Sequence, residues 1–114
     1  LTSREKTELI VEFADEAKAE RVETLDVRSK TSIADYFVVC TGNSDVHMRA
    51  IADRVEEKMK TRGIQPQRSE HGGGGWVLQD YGDVVFHVMR EENRQFYDLE
   101  TLWKTMQPDP NLVE

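Results

Sequence analysis

Cysteine, proline, positive charge and long apolar runs are all scarce in this chain. A single cysteine, Cys40, among 114 residues excludes an intrachain disulfide and any multi-cysteine zinc site. Three prolines and seven glycines leave no linker long enough to divide the chain. The longest run of purely apolar side chains, Phe37 to Cys40, falls far short of the ~20 residues that cross a bilayer. No basic-then-apolar leader opens the sequence, which starts at Leu1. Together these point to a reducing compartment: cytoplasmic, or an organelle of bacterial descent, with the bacterial cytoplasm preferred. Basic residues number 15 against 22 acidic ones, a net charge of −7. An acidic surface repels phosphate backbones, so autonomous nucleic-acid binding is disfavoured and a basic protein partner is suited.

What the chain does have is enough apolar residue, 38% of the total, for one domain with a core that needs no disulfide or metal. Leu9, Ile10, Phe13, Ala14 and Ala17 fall on one stripe, so the spacing predicts a helix over residues 3–19, capped by Thr2 or Ser3. From Arg21 the period changes to two, through Val22, Leu25 and Val27, which predicts a strand with one solvated face. The continuous run from Tyr36 to Cys40 suits a central strand buried on both faces. Met48, Ile51, Ala52, Val55 and Met59 then outline a helix, begun by Asn43 or Ser44 and ended at Gly63.

Gln65 to Glu70 reads as at best an edge strand, and His71 with Gly72 to Gly75 as a flexible loop. Trp76 to Asp80 and Val84 to Met89 are two strands around the short turn Tyr81-Gly82-Asp83, and should pair as a hairpin. Phe96, Leu99, Leu102, Trp103 and Met106 outline one last helix, with residues 108–114 as a loose tail. The expected fold class is therefore α/β (α+β), a mixed sheet of about five strands with flanking helices in the order α-β-β-α-β-β-β-α, in one domain over residues 1–107.

Four places could carry chemistry. The turn Thr41-Gly42-Asn43-Ser44 leads from a strand into a helix N-terminus, a natural anion site, but Asp45 opposes a phosphate and a capped turn is the simpler reading. Asp26, Asp35, Asp80 and Asp83 lie at strand ends, where converging carboxylates could hold magnesium; a metal-dependent nucleotidyltransferase-like enzyme using Asp80, Asp83 and the Gly42 turn is the alternative function, against ordinary turn chemistry. His47 lies near Cys40, but that thiol sits in the most buried-looking run; His87, inside an apolar strand, reads as a structural imidazole. Finally, Trp76, Leu78 and Asp80 share one face of a strand, with Val77, Gln79 and Tyr81 on the other. Trp76 is either part of the core or an interface anchor.

In order along the chain, Leu25-Asp26-Val27, the run Thr31 to Ser44, His47, Ala50 to Asp53, Glu70, Trp76 to Val85, His87-Val88, Arg94, Phe96 to Glu100 and Leu102-Trp103 resemble the Iojap family, also called ribosomal silencing factors. The resemblance runs from about Leu9 to Trp103. It implies a mixed sheet with flanking helices related to nucleotidyltransferases, with no established catalysis, no cofactor and no metal. It implies binding to the large ribosomal subunit through ribosomal protein L-fourteen, blocking of subunit joining, and repression of translation; organellar relatives act in large-subunit assembly. By resemblance, Trp76 and Tyr97 are the partner-binding positions. Leu78, Asp80 and Tyr81 are added as their neighbours on strand and turn. The four glycines before Trp76 depart from the family pattern and imply a looser loop there. A homodimer through a polar edge strand near Gln65 is a further alternative.

Overall fold

Thr2 starts the first helix, α1 (Ser3–Glu16). Its hydroxyl accepts the Glu5 N–H at 3.1 Å, and the Glu5 carboxylate accepts the Thr2 N–H at 2.9 Å, so two otherwise unpaired amides satisfy each other's side chains. The computed structural model describes residues 1–72, 74–106 and 108. α1 stops short of residue 19 because Lys18 takes a left-handed conformation, φ +62°, and turns the chain into β1 (Glu20–Asp26). β2 (Tyr36–Thr41) follows, then α2 (Asp45–Thr61), with Ser44 accepting the His47 N–H at its start. Gly63, at φ +78°, ends α2: its N–H donates to the Lys60 carbonyl and the Ile64 N–H to that of Met59.

The remaining strands are β3 (Arg68–Gly72), β4 (Trp76–Asp80) and β5 (Val84–Met89). They complete a five-stranded sheet in the order β1-β2-β5-β4-β3. β2 and β5 run parallel in the middle; the other neighbours are antiparallel. The mixed α+β architecture expected from the sequence is the one found, as is the β4–β5 hairpin.

β2 and β5 are buried at every position because both faces of the sheet's centre are covered. On one face Ile10 and Phe13 of α1 and Ile51, Val55 and Met59 of α2 pack against Val38, Cys40, Phe86 and Val88. Each such side chain contributes about 1.5–3 kcal/mol when fully buried. The other face gathers Leu25, Phe37, Val39, Val85 and Met89, with Leu99 and Trp103 laid over them. Among the described residues, no helix is long and apolar enough to cross a membrane.

Two expectations are corrected. His71 and Gly72, expected in a loop, extend β3, because they pair with Val77 and Trp76. The single last helix is two: α3 (Glu91–Tyr97) and α4 (Leu99–Thr105). Asp98 stands between them at φ +44°, a conformation that Asp tolerates better than most residues. Its N–H closes α3 on the Arg94 carbonyl, and its carboxylate caps α4 at Thr101. The break takes Phe96 off the apolar stripe and leaves it 80% exposed. The expected tail lies outside the described residues, apart from Pro108.

Candidate partner-binding face

The period of two places Trp76, Leu78 and Asp80 half-buried on one side of β4 and buries Val77 and Gln79 on the other, as expected. On the half-buried side, Trp76 stands opposite Met89 and Leu78 opposite His87. α4 covers the β1–β2 end of this face, where Trp103 meets Phe37 edge-on at 5.0 Å between ring centroids. Beyond that cover the rings continue: Phe37 to His87 at 5.2 Å, His87 to Trp76 at 5.9 Å, Trp76 to Tyr97 at 4.8 Å and Tyr97 to Phe96 at 5.0 Å. The chain of rings thus starts in the core and ends in solvent. A cleft of about 420 Å³ lies along it, lined by Glu70, Gly74, Trp76, Leu78, Asn93 and Tyr97.

Gly74 and Gly75, which lead into Trp76, are held to α3 and its N-terminal cap residue Arg90. The Arg90 N–H donates to the Gly75 carbonyl at 2.9 Å, and the Asn93 amide donates to the Gly74 carbonyl. Gly75, at φ +75°, has no room for a side chain: a Cβ would stand 2.9 Å from Arg90 and Asn93 side-chain atoms. Glycine at position 75 therefore serves close approach rather than looseness.

The indole Nε1–H of Trp76 donates to Nδ1 of His87 at 3.1 Å. That donor fixes the tautomer, with the proton on Nε2. Burial pushes the His87 pKa down to about 4, so the ring is neutral at physiological pH. The unfolded chain binds this proton more readily than the folded one, so stability is present above about pH 6.5 and lost as pH falls toward 4. About 1 kcal/mol should be gone by pH 5.5. Chemical denaturation at pH 7 and 5.5, on the parent and on His87→Asn, checks this; an equal loss in both would assign it to other groups.

Of the positions expected at the contact, Trp76, Leu78 and Tyr97 meet in this cleft, and Asp80 shares their side of β4. Tyr81 does not join them. It is 3% exposed and packs in the helix-covered core, where its hydroxyl donates to Gln79 Oε1 at 2.9 Å and Gln79 donates on to the Ala52 carbonyl. Strand alternation carries it to the opposite face. Burial pushes its phenol pKa up. Phe96 is the residue that sequence reasoning missed, because the stripe it seemed to share with Leu99 breaks at Asp98. The signal was present in Asp98 itself, a residue that caps and breaks helices.

The other candidates resolve into structural roles. Asp80 accepts the Gly82 N–H across the hairpin turn, Asp83 pairs with Lys6 at 2.9 Å, and Asp26 pairs with Arg28 at 2.7 Å. Among the described residues no group of three or more His, Cys, Asp and Glu is placed to hold a metal. The Cys40 thiol is buried and its pKa is pushed up to about 12, which disfavours the nucleophilic thiolate. His47 has both nitrogens engaged, Nδ1 by the Asn43 N–H and Nε2 by the Ala17 carbonyl. Gly42 is needed for packing, since a Cβ there would meet Met48 Cγ at 2.6 Å.

Comparison with known proteins gives these features a family. A family model described as "Ribosomal silencing factor during starvation" matches residues 1–113. The ribosomal silencing factor RsfS of Halalkalibacterium halodurans is 38% identical over 104 residues, 90% of this chain and 89% of that one. That of Bacillus subtilis is 41% identical over 90 residues, 78% and 76% of the two chains. A mouse relative named "Mitochondrial assembly of ribosomal large subunit protein 1" is 26% identical over 94% of this chain and 49% of its own. A crystal structure from Chromobacterium violaceum superposes with a TM-score of 0.88 at 36% identity, over 96% of this chain and 92% of that one. With the family model matched over nearly its whole length, and relatives above 30% identity aligned over most of it, the chain belongs to the RsfS family of ribosomal silencing factors.

Proposed function

We propose that this protein binds the large ribosomal subunit through ribosomal protein L-fourteen, sterically blocks joining of the small subunit and so represses translation, without catalysing a reaction. The observation that carries this reading is the ring series Trp76–Tyr97–Phe96, which ends in solvent beside an acidic segment. Tyr97 is 50% exposed and Phe96 80%. Aromatic anchors of this kind dominate interface energetics, because rigid rings lose little freedom on docking. Glu92 and Asp98 are exposed beside these rings, whereas Glu91 is paired with Arg21 and Glu100 with the buried Arg94. These exposed carboxylates, on a chain of net charge −7, complement a basic ribosomal protein. Trp76, Leu78 and Tyr97 form the contact, Phe96 extends it and Asp80 lies at its margin. The mouse relative's name, which refers to large-subunit assembly, supports the same target.

Separated subunits test this reading. Added before mixing, the protein should cosediment with large subunits and lower the fraction that joins. Added to joined ribosomes, it should act only as fast as they dissociate on their own. Cosedimentation with small subunits alone, or splitting faster than spontaneous dissociation, would overturn steric exclusion.

A further inference from the structure

We infer that His87 is the positioning residue of the docking face: its Nδ1 holds the Trp76 indole in the one orientation that meets the partner. The inference rests on the reading of Trp76 as a contact residue and goes one layer below it.

A tryptophan on the half-exposed side of a strand has several rotamers open to it. Here the indole N–H is tied inward, to a ring that cannot swing. His87 is 5% exposed and lies on the same sheet face as Leu78, directly across the β4–β5 ladder from it, with Phe37 edge-on at 5.2 Å. Orientation fixed before docking need not be fixed during it, which raises affinity without adding a contact. The inward N–H also decides what the indole shows outward. Its only hydrogen-bond donor is already used, so it offers the partner carbon edges and ring faces. Such a surface suits the methylene stems and cationic heads of lysine and arginine. It also spares the partner from supplying an acceptor.

The composition of β5 supports a dedicated role. Val85, on the same face two residues earlier, packs with no polar atom to satisfy. His87 instead leaves its buried Nε2 without a hydrogen-bond partner among the described residues. A branched aliphatic residue at 87 would avoid that cost. The histidine is explained by the Trp76 bond that only its other nitrogen makes.

The test reads the indole and the binding separately. In a proton–nitrogen correlation spectrum, the Trp76 Nε1–H signal is assigned by its loss in Trp76→Phe. In His87→Leu, which fills the space without an acceptor, that signal should move upfield and exchange with water faster. Affinity for purified large subunits should fall about tenfold. His87→Asn, whose Oδ1 stands close to where Nδ1 was, should restore both. An unmoved indole signal in His87→Leu, or a moved signal with parental affinity, overturns the inference. If His87→Leu does not fold, His87→Gln makes the same comparison with its acceptor carried one carbon too far. Trp76→Ala separates the two levels. Parental affinity in Trp76→Ala would remove the docking reading itself. Weak binding by Trp76→Ala with parental binding by His87→Leu would remove only the role of His87.

Discussion

Arg94→Ala should cost about 3–5 kcal/mol of stability, the largest single-residue loss expected on the α3–α4 side of the molecule. The Arg94 side chain is 1% exposed, and its guanidinium joins three elements. Nη1 donates to Thr41 Oγ1 at the end of β2 at 2.9 Å, Nε bonds Glu100 of α4 at 3.2 Å, and Nη2 lies 3.9 Å from Glu23 of β1. Glu100 is itself only 12% exposed. Alanine would leave that carboxylate buried with no cation against it, and uncompensated buried charge is what makes breaking such a pair costly. For a domain of this size the melting temperature should fall by roughly 12–40 °C. Arg94→Lys should recover part of the loss, since it keeps the charge but not the fork. A melt for Arg94→Ala within a few degrees of the parent would show that α3 and α4 are held by apolar packing alone.

Trp76→Ala should weaken binding to large subunits by about 2 kcal/mol or more, roughly 30-fold, and Tyr97→Ala by a similar factor. Sequence alone suggested that such anchors would be largely exposed and that their loss would leave folding unchanged. The geometry modifies this for Trp76, which is half-buried and gives up its bond to His87, so about 1–2 kcal/mol of stability should go with it. Trp103→Ala is the contrasting variant. Its ring packs on Phe37, away from the exposed end of the ring series, so it should lose stability and leave the affinity of the remaining folded protein near the parent's. Paired melts and subunit titrations decide the matter. If Trp76→Ala melts as low as Trp103→Ala and still binds like the parent, Trp76 is a core residue.

Local pattern was enough to read most of the fold. β2 is legible because a continuous apolar run can only be buried on both sides, and α2 because its stripe lies between a Ser cap and a terminal glycine. The β4–β5 hairpin is legible because two alternating runs flank a short turn. Tertiary partners decided the rest. β3 includes His71 and Gly72 because β4 is there to pair with them, which nothing in their own propensities indicates. The break at Asp98 needs a positive φ that few residues other than glycine adopt, so periodicity ran straight through it and hid Phe96. Within the site, Trp76 and Leu78 follow from strand alternation. The same alternation separates Tyr81 from them, and adjacency in sequence was the wrong guide. The Trp76–His87 bond required the register of the whole hairpin, since it runs diagonally from the Leu78–His87 pair.

The parallel pairing of β2 with β5 also sets an order of events in folding. β1 and β2 are neighbours in sequence and in the sheet, so they can zip together early. β2's other edge must wait until α2, β3 and β4 have been placed, because its partner is the last strand of the chain. Contacts of such separation close slowly, since the loop entropy is lost before the pairing returns it. Until then the run Phe37-Val38-Val39-Cys40 presents an unpaired apolar edge, the kind that recruits another chain. Refolding yield should therefore fall with protein concentration, and the β2 amides bonded to β5 should become protected from hydrogen exchange together with β5, after those of the β1–β2 pair.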